Sequence, residues 1–343
     1  MVSAVGMRTS CLGASQRRLL PALCLQLLML AGCGRQEPSA RVPVHDPWEG
    51  RGQECVRPFV GRDSPYSEVL GGADDDDPVL SSVPPEAGRT MRAAGLSAMV
   101  ARALAGARAP APPSVDMLVT RQDLGMRLIS LETQLAAVIF EAECTGELIE
   151  AMTFELEDRA DMRELRLALG SLIVGALSAT AAGVWDLTRG GSNGPAVLGL
   201  SGGVASAALG AAAFVKPAQH MRFGHARNLL SAVRTGSDES ELFPRFVFRL
   251  LTLPAPDGGP SPRDRLLTRW REMIEQAVEP EERAPSEALL YGAGGTYDQD
   301  LLSLRERLYD TLESELNAQA RDLELLDRFL VRALERTPSD GPG

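Results

Sequence analysis

The chain has few of the residues on which enzyme chemistry usually depends. Its 343 residues include three histidines and five cysteines, and Lys216 is the only lysine. His220 and His225 are five apart, which on a helix puts them on different faces, whereas zinc sites on helices take ligands three or four apart. No His-Glu-x-x-His or Cys-x-x-Cys motif is present. We therefore expect no enzyme activity, no metal site and no cofactor.

The charge balance excludes a further class of partner. Lys and Arg number 35, whereas Asp and Glu number 46. Residues 1–32 contain three arginines and no acid, so the chain without them has a net charge of 32 − 46 = −14. Nucleic-acid-binding proteins need clustered positive charge. We expect no nucleic-acid partner.

The N-terminus contains the clearest positive signal. Arg17 and Arg18 precede an apolar run over residues 19–30, and small residues then lead to Cys33. The run is too short to cross a bilayer, so residues 1–32 are predicted to be a signal peptide. The order Leu-Ala-Gly-Cys resembles the lipobox of bacterial lipoproteins. This resemblance implies cleavage before Cys33 and lipid (diacylglycerol and palmitate) on that cysteine; the alternative is an ordinary signal peptide with an incidental cysteine.

The same resemblance implies a location. A lipoprotein is anchored in the bacterial cell envelope, and the expected chain faces the periplasm. Gly34 follows the modified cysteine, which by similarity to enterobacterial sorting favours the outer membrane over the inner one.

The remaining cysteines form a candidate pair. Cys11 and Cys24 would leave with the signal peptide, so Cys55 and Cys144 stay in an oxidising compartment where disulfides persist. Either these two form a disulfide or they are two free thiols, because the sequence does not supply their distance.

Two segments with different composition follow the signal peptide. Residues 33–113 are rich in Pro, Gly and Asp and are predicted to be a flexible tether with one short helix at about residues 90–107. Residues 114–338 are predicted to be a helical domain. Its first apolar seam has spacings of four and three residues and comprises Leu124, Leu128, Leu131, Leu135, Val138, Ala142, Thr145, Ile149, Met152 and Leu156. A second stripe comprises Leu301, Leu304, Leu308, Leu312, Leu316, Leu323, Leu326, Leu330 and Leu334. The predicted fold is all-α, a long-helix bundle or coiled coil.

A Gly/Ala-rich hydrophobic hairpin is predicted between the two seams, at residues 167–215. Residues 167–185 and 196–215 contain no charge and are each long enough to cross a membrane as a helix. Small residues spaced by four are predicted to form the contact between the arms. They are Ser171, Gly175, Ala179 and Gly183 in the first arm and Gly199, Gly203, Ala207 and Ala211 in the second. Membrane insertion and burial in a soluble core both stay open for this hairpin.

The helical domain resembles uncharacterised bacterial envelope lipoproteins with a hydrophobic small-residue hairpin. The similar features are Glu143-Cys144, the hairpin, and residues 224–230 (GHARNLL), 242–244 (LFP) and 288–292 (ALLYG). The resemblance covers about the C-terminal three fifths of the chain and implies a shared fold without an activity.

The sequence thus favours a non-enzymatic, membrane-anchored scaffold or assembly component. Its expected partners are membrane lipid and, as an open alternative, further copies of the chain. A protein similar to α-helical pore-forming toxins, inserting its hairpin, is one alternative function. A soluble periplasmic binding module is another.

Overall fold

The structure is a computed structural model that describes residues 51, 54–56, 78–109, 114–189, 194–214, 219–225, 227–238 and 241–335. All of them belong to one compact unit, Pro47–Gly343. A short 3₁₀ helix at Pro78–Ser82 precedes the main elements. The helices are α1 (Pro85–Ala94), α2 (Ser97–Arg108), α3 (Val115–Arg189), α4 (Gly194–Phe214), α5 (Leu229–Thr235), α6 (Arg245–Thr252), α7 (Pro262–Ala277), α8 (Arg283–Tyr291) and α9 (Gln299–Glu335), and the strands are β1 (His220–Gly224) and β2 (Gly294–Asp298). The predicted all-α class is confirmed.

Helix α3 organises the molecule. It has 75 residues, which corresponds to a length of about 112 Å. It contains no proline, and neither does α9, so nothing in either sequence interrupts the helical hydrogen bonds. Antiparallel to α3 lies α9, with Gln299 Nε2 donating to Glu157 Oε1 over 2.7 Å. The two predicted seams meet at this contact, and the coiled-coil pair is confirmed.

Residues 78–109 differ from the predicted tether. Two helices, α1 and α2, occupy this segment instead of one, and Met91, Leu96 and Val100 are buried in the core. Arg89 is also buried, and its guanidinium donates to Leu250 O over 2.9 Å. The high Pro, Gly and Asp content of the whole segment hid a short stretch with apolar residues at helical spacing. The other tether residues, apart from residues 51 and 54–56, lie outside the described part of the chain.

The two strands form an antiparallel ribbon. Glycine-rich residues such as 292–295 are typical of a loop, but β2 pairs there with β1, with Met221 opposite Tyr297. Gly294 has φ 94°, and a Cβ at this position would overlap the Phe223 carbonyl. Five-residue strands separated by about 70 residues leave almost no periodic signal in the sequence.

Candidate membrane-inserting hairpin

The hairpin consists of α4 and the part of α3 from residue 167 onwards; we call the rest of the described chain the body. In the hairpin α4 replaces α9 as the partner of α3, and the contact face of α3 does not keep the register of the seam at residues 124–156. The half-buried α3 residues of this contact are Ser171, Val174, Gly175, Ser178, Ala182 and Trp185. Successive faces of the same helix therefore hold the body and the hairpin together.

Two serines form a reciprocal contact between the arms. Ser171 Oγ donates to Ser206 O over 2.9 Å, and Ser206 Oγ donates to Ser171 O over 2.8 Å. Each hydroxyl thus has an acceptor within the hairpin. A hydroxyl needs such a hydrogen-bond partner wherever water is excluded, because an unpaired polar group in hydrocarbon costs roughly several kcal/mol.

Glycines bring the backbones close to each other. A Cβ at Gly175 would lie 3.1 Å from Ser206 Oγ, and one at Gly210 would lie 3.5 Å from Ser171 Oγ. The tightest approach is at Gly202, where a Cβ would overlap the Ser178 side chain. Close backbone approach through small residues is how helices associate without a hydrophobic driving force.

The predicted contact ladder is correct only at Ser171 and Gly175. The other predicted residues lie on exposed sides of the arms or have open space around them: Ala179, Gly183, Gly199, Gly203, Ala207 and Ala211. Four residues turn a helix by about 400°, so a strict step of four drifts by about 40° at each step. The real contact alternates four and three, and therefore includes Ser178, Gly202 and Ser206, which the prediction missed.

The outward faces of the hairpin are apolar and uncovered. Leu172, Leu177 and Leu200 are 66–73% exposed, and none of the most apolar 18-residue window of α3 is buried. Both α3 and α4 are long and apolar enough to cross a membrane, by length and composition. No other described element covers these faces, and the two helices are compatible with membrane association.

The hairpin also has the dimensions of a membrane span. The uncharged runs have 19 and 20 residues, which as helices extend about 28–30 Å, close to the thickness of about 30 Å of the hydrocarbon region. Trp185 lies at the tip end, in the position where tryptophan is enriched at membrane interfaces.

One hairpin segment has the spacing of a hydrolase motif. Residues 199–203 read Gly-Leu-Ser-Gly-Gly, which fits Gly-x-Ser-x-Gly. That motif activates serine only on a sharp turn between a strand and a helix. Ser201 instead lies inside α4 and donates to Leu198 O over 3.2 Å. The segment therefore does not form a nucleophile elbow.

Two of the segments on which the sequence resemblance rests, residues 224–230 and 288–292, meet in a buried polar cluster beside the ribbon. His225 Nδ1 lies 2.9 Å from Gly292 O, and its Nε2 lies 2.9 Å from Tyr297 Oη. Asn228 Nδ2 donates to Leu290 O over 3.0 Å, and Arg305 donates to the same carbonyl. Burial and the Arg305 charge lower the pKa of His225 to about 3. The cluster links β1, α8 and α9. Both ring nitrogens of His225 have partners within the cluster, so His225 has a structural role.

The structure places the other predicted site residues as follows. Cys55 and Cys144 are joined as a disulfide, with their Cα atoms 5.5 Å apart, and this pairing attaches residues 54–56 to α3. Cys33 lies outside the described residues. Among the residues that the structure describes, no group of three or more His, Cys, Asp or Glu could hold a metal ion.

Carboxylates of α3 and α9 lie close to one another along a groove beside the α3–α9 pair. The members are Glu132, Glu143, Glu147, Glu150, Glu306, Asp310, Glu313, Glu324 and Asp327. Partial burial, and then the neighbouring carboxylates, raise the pKa of Glu132, Glu306, Asp310 and Glu313. Like charges that face each other across two helices destabilise their contact.

The carboxylates of this groove should favour folding as the pH falls from about 7 to about 5, whereas His225, whose pKa is lowered to about 3, should oppose folding over the same range. A carboxyl whose pKa is higher in the folded than in the unfolded chain favours folding when it is protonated, so the destabilisation at neutral pH disappears as the pH falls through the folded pKa. Because the groove is largely in water, we expect its carboxylates to contribute about 1 kcal/mol. Urea unfolding followed by near-UV circular dichroism, at each pH, measures the stability of the native chain and of a variant that lacks two of these carboxyls.

A double variant provides the control for this pH dependence. Asp310→Asn with Glu313→Gln removes two of the facing charges, so it should be more stable than the native chain at neutral pH, and this advantage should shrink as the pH falls. The same pH dependence in the native chain and the variant would contradict the assignment to this groove.

Compared with protein-family models, with curated proteins and with solved structures, the chain matches none.

Proposed function

We propose that this chain is a non-enzymatic lipoprotein of the bacterial cell envelope that inserts its hairpin into a membrane and holds its helical body there as a scaffold. The observation that carries the insertion is the hairpin: two paired apolar arms that no other described element covers. Lipid on Cys33 and a periplasmic body are supported by the lipobox resemblance, and a disulfide in the body agrees with an oxidising compartment.

The absence of charge in the arms favours insertion. On the insertion scale, each Leu, Ile or Val contributes only about −0.3 to −0.6 kcal/mol, whereas one charged residue at the centre of a helix costs about 2.5–3.5 kcal/mol. A single charge would thus cost about as much insertion free energy as most of the leucines and valines of one arm contribute. The polar side chains at Ser171 and Ser206 pair with each other's backbone, so they add little to the cost of insertion.

The continuity of α3 supports a scaffold role. The same helix crosses from the body into the hairpin without a break, so the orientation of the body depends on that of the hairpin. The part of α3 outside the hairpin, residues 115–166, extends about 78 Å from the start of the apolar segment. A rod of this length, fixed at one end, presents the long surfaces of α3 and α9 away from the membrane.

The arms lack the polar face that a pore needs. An aqueous channel is lined by polar or charged side chains, but the runs at 167–185 and 196–215 contain no charge. The exposed large residues of both arms are leucine, isoleucine and valine. This composition supports a lipid-facing anchor over a pore.

The experiment distinguishes retention by the inserted hairpin from retention by lipid on Cys33. A chain whose residues 1–33 are replaced by a cleavable secretory signal has no Cys33, so only the hairpin retains it in a membrane. We expect this chain to resist extraction by a carbonate wash. Leu177→Arg with Val204→Arg places one charge on the outward face of each arm, at a cost of about 2.5–3.5 kcal/mol each, and should release the chain into the supernatant.

Two controls complete the experiment. Leu118→Arg with Ile129→Arg changes residues that are 53% and 58% exposed on the body part of α3, and should leave the chain in the membrane. The native chain should take up a palmitate analogue, and Cys33→Ser should not. A lipid-free chain that is fully soluble would contradict insertion, and a native chain without label would contradict the lipid anchor.

A further inference from the structure

The base of the hairpin, where α3 leaves the body, carries two exposed arginines next to the apolar segment. Arg163 and Arg166 are both exposed, and in the part of the chain that the structure describes neither guanidinium has a hydrogen-bond or ion-pair partner. Arg159, one turn further into the body, differs because it pairs with Glu155. Two unpaired guanidinium groups are therefore available to a ligand at the base.

The two arginines lie on one side of α3. Residues three apart on a helix differ by about 60° in direction, so both side chains leave the same face. Glu164 lies between them in sequence, but it is half-buried and its direction differs from Arg166 by about 160°. The face that carries the two arginines has no carboxylate in this turn.

The charged residues of this region lie at different distances from the apolar segment. At 1.5 Å per residue, Arg166 and Arg163 lie about 1.5 Å and 6 Å from residue 167 along the helix axis. The exposed Asp161 lies about 9 Å away, and Asp158 and Glu157 lie about 13.5 Å and 15 Å away, all beyond the Debye length of about 8 Å at physiological salt. The exposed α3 charges closest to the apolar segment are therefore positive, although the whole chain is strongly acidic.

From this placement we infer that Arg163 and Arg166 bind the phosphates of anionic phospholipid headgroups when the hairpin is inserted. The inference rests on the proposed insertion. Guanidinium groups bind phosphate oxygens through two parallel hydrogen bonds, and the long arginine side chain reaches the headgroup level from the end of a membrane helix. An acidic body needs such a contact because an anionic surface otherwise repels it.

The experiment measures which lipids the purified full chain retains. The chain is reconstituted in vesicles made of equal parts phosphatidylcholine and phosphatidylglycerol, extracted gently, and analysed by native mass spectrometry. We expect phosphatidylglycerol to be enriched in the native chain. Arg163→Gln with Arg166→Gln should lower this enrichment by about fivefold for each arginine, and raising the salt concentration should lower the enrichment of the native chain as well.

The matched control is Arg271→Gln with Arg332→Gln, which removes two exposed arginines from α7 and α9, far from the hairpin base; its enrichment should equal that of the native chain. Equal retention of both lipids by the native chain, or an equal loss in the control variant, overturns the headgroup contact while leaving insertion intact. If the native chain does not insert into these vesicles at all, both proposals are overturned. The salt series needs no substitution, so it decides the question even if a variant folds poorly.

Discussion

Gly202→Leu is expected to separate the two arms of the hairpin, whereas Gly203→Leu is expected to leave them paired. At Gly202 even a Cβ would overlap the Ser178 side chain and lie 3.5 Å from the Ser178 Cα atom. A leucine there forces the backbones apart and loses the close contacts on both sides of it. At Gly203 a Cβ meets nothing within 4 Å, so the leucine faces outward, where apolar side chains already predominate.

The effect of Gly202→Leu should be large and local. Overpacking of a close contact costs up to about 3 kcal/mol, which corresponds to an increase of roughly 100-fold in the opening of the arms. Hydrogen–deuterium exchange in detergent micelles measures this opening peptide by peptide. Exchange should rise in peptides from 167–189 and 194–214 but not in those from α7 and α9.

The comparison of neighbouring glycines makes this prediction specific. Both variants add the same side chain to the same helix, so helix propensity and hydrophobicity change equally. Only the direction of the side chain differs. Equal exchange in the two variants would show that the arms do not pair through Ser178 and Gly202.

Removal of the Cys55–Cys144 disulfide is expected to destabilise the body by about 4–5 kcal/mol. The two cysteines are 89 residues apart, and in the chain-entropy model a closed loop of this length restricts the unfolded chain by about that amount. Cys55 is 2% exposed, so the bridge also attaches a buried residue of the N-terminal segment to α3. Urea unfolding of the Cys55→Ala, Cys144→Ala variant measures the loss.

Reduction of the native chain provides a second route to the same state. A reducing agent should lower the stability of the native chain to that of the double variant and should not affect the variant. Peptide mapping without reduction should recover the two cysteines in one linked peptide pair. Two thiols that alkylate freely in the native protein would show that no bridge forms.

Hairpin contact residues could be predicted only in part. Ser171 and Gly175 were found because small residues at a spacing of four are visible in the sequence, and both face α4. Ser178, Gly202 and Ser206 were missed because the sequence contains small residues on nearly every face of both arms. Continuing the spacing of residues 124–156 would not have indicated them, because it leads to residues 170, 173 and 177, whereas the contact with α4 runs through residues 171, 175 and 178.

The sequence alone determined the elements whose signal is local and periodic. The two long helices follow from apolar residues at spacings of four and three in segments without proline, and the two hairpin arms follow from uncharged runs of helical length. The tertiary structure alone decided that α1 and α2 belong to the core, that β1 pairs with β2, that Gly202 rather than Gly203 faces α3, and that the hairpin is left uncovered. Burial depends on which distant segments cover a face. An apolar helix has the same sequence pattern whether protein or lipid covers it, so only the packed chain could show that no other described element covers this one.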